Sequence, residues 1–113
     1  MSEHPTSGLN DVVHQRHRLG ILTIAAESKR VEFGYLKDAL ELTGGNLSRH
    51  LTVLVDAGLL NMEKGYDGKR PRTWVSITRA GRQALAEEIA TLRALVTRHT
   101  DRPSPRPQGE DAH

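Results

Sequence analysis

The stretch LTGGNLSRHLTVLVDAGLL, Leu42 to Leu60, has two unlike halves. Its second half is a regular run of leucines. Its first half carries two glycines, an Asn, a Ser, an Arg and a His, which add little to a helix. Thr43 is a good N-cap, so the helix is predicted to start right after it. Leu47, Leu51, Leu54 and Val55 follow at i, i+4, i+7 and i+8 and make one apolar stripe. Gly58 ends the helix in a C-cap position. Stepping about 100° per residue from Leu47 puts Arg49 and Asp56 opposite that stripe. Gly45, Asn46, Thr52 and Val53 flank them, and Ser48 and His50 lie on the two borders. Hydrogen-bonding capacity therefore gathers on the outer face of the first two turns. Arg pairs best with guanine O6 and N7 and Asn with adenine N6 and N7, while Ser, Thr and His suit phosphate oxygens. Gly44 and Gly45 admit two explanations. They let a helix N-terminus, with its free N–H groups, come close to a phosphate, or they make a turn with one glycine at positive φ.

Outward from this helix the pattern changes character. NDVVHQRHRLGILTIAAES reads as one helix, or a short helix running into a longer one, apolar on most sides near its end. Gly20 inside it implies a close helix–helix contact, at a cost of about 1 kcal/mol relative to Ala. KRVEF is short and extended. FGYLKDALELT reads as a second helix with Leu36, Ala39 and Leu40 on one face. After Gly58 the period switches to two. Leu60, Met62, Val75 and Ile77 are predicted to face the core of a β-hairpin with a long basic loop, GYDGKRPRT, and a turn at Asp67-Gly68. Thr78 caps a last helix, RAGRQALAEEIATLRALVTRH.

The expected fold is mainly α with a small β-hairpin, in the order helix, helix, helix, hairpin, helix. The second and third helices form a helix-turn-helix and the hairpin a wing. Residues 10–98 make one domain, with residues 1–9 a flexible N-terminus and residues 99–113, Pro-rich and polar, a disordered tail.

Charge points the same way. The net charge is only +2, but between Lys64 and Arg82 six cations face Asp67 alone. A run of this kind is either a solvated face or a polyanion-binding patch. In the hairpin loop Lys69, Arg70 and Arg72 sit where a wing reaches the minor groove or its phosphates. The chain has no cysteine, which excludes disulfides and thiolate metal sites. It has no run approaching the roughly 18 apolar residues of a membrane span and no apolar signal region, so a cytoplasmic protein is expected. Paired carboxylates, phosphate loops and nucleophile–base pairs are missing, so no enzyme and no cofactor is expected. Glu87 and Glu88 are adjacent and read as solvent-facing.

LSRHLxxLxxAGL resembles the recognition helix of ArsR-type regulators. GNLSRHL, GYDGKRPRTWVSIT and TRAGRQAL together resemble the small winged-helix family related to MarR, over about residues 10 to 97. The resemblance implies a cytoplasmic homodimer that binds a palindromic operator in double-stranded DNA and usually represses transcription. It assigns the recognition-helix positions to Gly45, Asn46, Ser48, Arg49 and His50, and the wing to Lys69, Arg70 and Arg72. Thr52 joins the first set from its place on the outer face. With no separate ligand domain, a small-molecule effector would have only a crevice at the dimer interface.

For the dimer itself, Leu85, Ile89, Leu92 and Val96 repeat at spacings of four, three and four, the period of a helix–helix seam. Leu95 widens the strip, and Val12 and Val13 complete it. Packing against the domain's own core is the competing explanation. Two further functions stand as alternatives: a winged helix used for protein–protein contact, and a histidine-based metal-responsive regulator. The second would use His14 and His17, with His4 and His99 as further ligands, although no metal site is expected.

Overall fold

The computed structural model describes residues 8–101. Two side-chain caps in succession divide the N-terminal helical segment. Asn10 Oδ1 accepts from the Val12 and Val13 amides and starts α1 (Asp11–His14). Gln15 is extended (φ −62°, ψ 130°), and its Oε1 accepts from the His17 and Arg18 amides to start α2 (Arg16–Ala26). β1 (Val31–Glu32) and α3 (Phe33–Ala39) follow. α3 is shorter than the sequence suggests. It stops at Ala39, which is exposed rather than core-facing, and Glu41 turns the chain at φ 54°. A non-glycine residue in this left-handed region costs about 1–3 kcal/mol, and it frees the chain to start the next helix in a new direction. Leu40 packs on Gly20, where a Cβ would stand 2.9 Å from Leu40 Cδ2. The close contact expected at Gly20 is therefore made with the end of the α3 segment.

α4 (Gly44–Asp56) starts at Thr43, whose Oγ1 accepts from the Asn46 amide at 3.1 Å. Leu47, Leu51 and Leu54 are fully buried, and Val55 is half-buried. Gly58 (φ 78°) stands just past the cap residue Ala57. The Leu59 amide reaches back to the Leu54 carbonyl, and the Gly58 amide to that of Val55. These two bonds make a Schellman ending, which needs the left-handed glycine.

β2 (Leu60–Asp67) and β3 (Arg70–Ile77) pair antiparallel from Leu60↔Ile77 to Asp67↔Arg70. Only Gly68 and Lys69 remain between them. The long loop expected here is therefore a tight two-residue turn on a long ribbon, with Gly68 at φ 66°. β1 joins the other edge of β3, so the sheet has three strands in the order β1-β3-β2. Val75 is buried because it lies on the central strand, between Val31 and Met62. Met62, expected in the core, is 42% exposed. It lies on the edge strand, of which only Leu60 at its root is covered.

α5 (Arg79–Asp101) is fastened to the end of α4. Thr78 donates its hydroxyl to the Gly58 carbonyl and accepts from the Gly81 amide, and its own amide bonds the Leu59 carbonyl. Gly81 sits so close to this turn that a Cβ would lie 2.1 Å from the Leu59 carbonyl oxygen. α5 runs to Asp101, so residues 99–101 are helical and not part of a tail. The remainder of both expected flexible ends lies outside the described residues. No helix among the described residues is long and apolar enough to cross a membrane.

The inner stripe of α5 is Gly81, Leu85 and Glu88. Leu85 and Val13, expected at a dimer seam, instead belong to the domain's own core, where α1 and α2 both pack on α5. Glu88 departs furthest from expectation. Its neighbour Glu87 is exposed and accepts from Gln83, but the Glu88 side chain is 0% exposed. It accepts from the Asn10 amide at 3.1 Å and pairs with His14 Nδ1 at 2.7 Å. The helical period carries Glu88 inward, and only the docked start of α1 supplies its partners. Removing one partner of a buried carboxylate costs about 1–3 kcal/mol. His14→Ala is accordingly expected to lower the unfolding free energy by that amount in denaturant titrations. Glu88→Gln, which keeps an acceptor for the Asn10 amide, should lose less.

Candidate nucleic-acid interface

With its leucines buried, α4 turns the opposite face to solvent. Gly45, Asn46, Ser48, Arg49 and Thr52 are all exposed. The Thr52 hydroxyl donates to the Ser48 carbonyl at 3.0 Å and keeps its acceptor capacity. Arg49 makes no ion pair among the described residues. Gly44 and Gly45 are both helical and neither has positive φ, so the turn explanation for them is overturned. A Cβ at either would meet nothing within 4 Å. No contact inside the domain requires these glycines, and the space they leave open lies outside it.

His50 differs from its neighbours. It is half-buried and folded back on α2, with Nδ1 3.3 Å from an Arg18 terminal nitrogen and its ring centroid 5.4 Å from that of His17. Burial, and then the charges of Arg18, His17 and Arg49, hold its pKa below the usual histidine value. Arg18 is itself anchored. Its Nε donates to the Val12 carbonyl at 2.6 Å and a terminal nitrogen to that of Asp11 at 3.4 Å. The sequence carries no signal for this cluster, since Arg18 and His50 are 32 residues apart.

On the wing, Lys69 and Arg70 are exposed, as is Lys64 further down the ribbon. Arg72 is not a free wing cation. It is 25% exposed, with one terminal nitrogen 2.9 Å from Glu32 Oε2 and the other 3.9 Å from Asp67 Oδ2. The cause is β1, which puts Glu32 opposite Trp74, two residues along β3 from Arg72. On this sheet the Arg30 guanidinium stacks over the Trp74 ring at 3.9 Å. Sequence reasoning missed this pair because nothing local shows that Val31 and Glu32 join β3.

The two histidines at the centre of the metal-binding alternative are not brought together. His14 and His17 stand on separate helices and go to Glu88 and His50. Among the described residues no three His, Cys, Asp or Glu side chains converge to hold a metal ion. His4, the third residue of that alternative, lies outside the described residues, and His99 is exposed near the end of α5.

The remaining strip on α5 changes along its length. Gly81, Leu85 and Glu88 are buried, but from Ile89 to Thr100 no residue is. Leu92 and Leu95 are half-buried, Ile89 is 38% exposed and Val96 61%. Ile89, Leu92, Arg93, Val96 and Thr97 line a shallow, mainly apolar groove of about 330 Å³. Val12, the last residue expected in this strip, is half-buried and packs against the core.

Comparison with known proteins agrees with this architecture. Residues 17–96 match the family model described as a winged helix DNA-binding domain. An uncharacterized protein of Methanocaldococcus jannaschii is 38% identical over 72 residues, which is 64% of this chain and 78% of that protein. A transcriptional regulator homologue from Pyrococcus horikoshii superposes with a TM-score of 0.74 at 30% identity, covering 82% of this chain and 91% of its own. A MarR family transcriptional regulator from Silicibacter pomeroyi has a TM-score of 0.63 at 23% identity, covering 96% of this chain and 70% of its own, a likeness of fold. A helix-turn-helix with a polar outer face, a basic two-stranded wing and the match over most of its length make this chain a member of the winged-helix DNA-binding family of transcriptional regulators.

Proposed function

We propose that the protein is a homodimeric repressor that reads a palindromic operator, with α4 in the major groove and the β2–β3 ribbon at the minor groove. The observation that carries this reading is the outer face of α4. Asn46, Ser48 and Arg49 are exposed beside a helix N-terminus that two glycines leave bare. Arg49 takes the base-reading role, since a guanidinium with no internal partner suits guanine O6 and N7. Asn46 reads adenine by the same logic, and Ser48 and Thr52 reach phosphate oxygens. On the wing the available cations are Lys69 and Arg70, and Arg72 serves mainly to brace the sheet through Glu32. Selection of bound DNA from a random pool tests the whole proposal, because it reports binding, half-site spacing and symmetry together.

Dimerisation rests on the second half of α5. A helix residue advances about 1.5 Å, so the segment past Glu88 projects some 20 Å beyond the last buried side chain. It carries Ile89, Leu92, Leu95 and Val96, which gain by burial against the same strip of a second copy. Two such domains facing each other would present two α4 helices to half-sites one helical turn apart.

Arg49→Ala is expected to cost about 1–3 kcal/mol of operator affinity and to relax specificity at one base pair per half-site. Its thermal stability should be that of the parent, because the side chain lies outside the core. Gly45→Ala favours the helical state by up to about 1 kcal/mol. It should unfold at the same or a higher temperature, yet bind DNA more weakly, as the methyl obstructs phosphate approach. Leu92→Glu places a charge in the α5 strip. Sedimentation should then show a monomer where the parent is a dimer, with operator affinity lost as well. A Leu92→Glu chain that still dimerises would remove α5 from the interface.

A further inference from the structure

The exposed face of α4 leaves one basic cluster unexplained. His17 and Arg18 of α2 meet His50 of α4 at the seam between the two helices, with the imidazole rings tilted by 39°. A guanidinium only donates. His50 Nδ1 therefore accepts from Arg18, and the neutral ring carries its proton on Nε2. His17 is fixed in the same way. Gln15 Oε1 accepts two backbone amides, so Gln15 Nε2 faces His17 Nδ1 at 3.3 Å and donates to it. Each histidine thus presents an Nε2–H that makes no bond among the described residues. Two carbonyls hold the Arg18 guanidinium in place before any ligand arrives.

No carboxylate among the described residues pairs with this cluster. The charges facing His50 are Arg18 and His17 from α2 and Arg49 from its own helix, all cationic or able to become so. From α1, Asp11 lends Arg18 only its carbonyl, and His14 is committed to Glu88. On α3, Lys37 and Asp38 pair with each other at 3.7 Å. An anion is the missing component, and one with several acceptor oxygens suits donors that converge from two helices.

The geometry points to a subsite at which His17, Arg18 and His50 bind one phosphate of the DNA backbone, with proton uptake by His50 on binding. This rests on the proposed DNA-binding function and adds to it a second helix, α2, and a linkage to pH. A protonated His50 carries a hydrogen on Nδ1, where it meets a guanidinium that also donates, so its contact with Arg18 must break. The freed N–H of Arg18, the His50 imidazolium and the Nε2–H of His17 then turn to the phosphate. The proton comes from water and no covalent bond changes.

The sign follows from the charges. At His50 burial and then cationic neighbours disfavour the imidazolium in the free protein, whereas a phosphate favours it. The DNA-bound state holds more protons, so affinity rises as pH falls, by up to about tenfold per pH unit for each proton taken up. The effect is confined to the window between the lowered free value of His50 and its raised value in the bound state.

Backbone contacts do not require the operator. The test therefore uses a short labelled duplex of arbitrary sequence at low salt, titrated with the full chain between about pH 5.5 and 8. The parent should bind several-fold more tightly at the acid end. The double variant His17→Gln, His50→Gln should lose the tightening at the acid end and bind with a flat pH profile, weaker than the parent at about pH 5.5. In the unaltered chain, NMR titration of the His50 ring should give a higher pKa with duplex than without, a readout that needs no variant to fold. Binding that is independent of pH, a double variant that keeps the parent's slope, or a His50 pKa unmoved by DNA would each overturn the subsite while leaving the DNA-binding function standing. A parent that binds no duplex at any pH would overturn both.

Discussion

Burial of Leu47, Leu51 and Leu54 is the constraint on which the outer surface of α4 depends. Each fully buried leucine contributes about 1.5–3 kcal/mol, and all three lie on one stripe of the same helix. A roll about the helix axis would expose some of them, so α4 has one favourable orientation. That orientation leaves the side chains of Asn46, Ser48 and Arg49 exposed, with no hydrogen-bond or ion-pair partner among the described residues. The polar face is thus the consequence of a packed apolar face, and it needs no separate device to stay outside.

The orientation of a helix is useful only if its ends are also fixed, and both are. At the start, Thr43 holds the Asn46 amide and Glu41 accepts a strained conformation to bring the chain round from α3. At the end, Gly58 lets the amides of Gly58 and Leu59 close the last turn. Thr78 then binds the Gly58 carbonyl and the Gly81 amide with one hydroxyl. Gly81 is a glycine because the Leu59 carbonyl occupies the place of its Cβ. α4 and the long α5 are therefore coupled through a tightly bonded turn. A shift of α5 would be passed to α4 through that turn.

Electrostatics here is largely a matter of which cations have been taken. Arg72 is held by Glu32, Arg30 by the face of Trp74, and Arg18 by two carbonyls and His50. Arg49, Lys69 and Arg70 remain exposed. Glu88 shows the converse. A carboxylate that sequence places among solvated neighbours is the buried anchor for the start of α1.

By itself the sequence determined the order of the elements, the Thr43 cap, the left-handed glycines at 58 and 68, the α4 stripe and the membership of Asn46, Ser48 and Arg49 in its outer face. All of these depend on local spacing, which a chain carries from residue to residue. It did not determine where the apparent strip of α5 divides. Leu85 is core and Val96 is exposed although they share one repeat, because the docking of α1 and α2 decides how far along the helix the cover extends. The fates of Arg72, His50 and Glu88 were equally hidden. Each depends on a partner distant in the chain, and such partners meet only when β1 joins β3, α2 packs on α4 and α1 lies against α5. Short-range periodicity sets which side of an element is apolar, and only tertiary packing sets which polar group finds an opposite number.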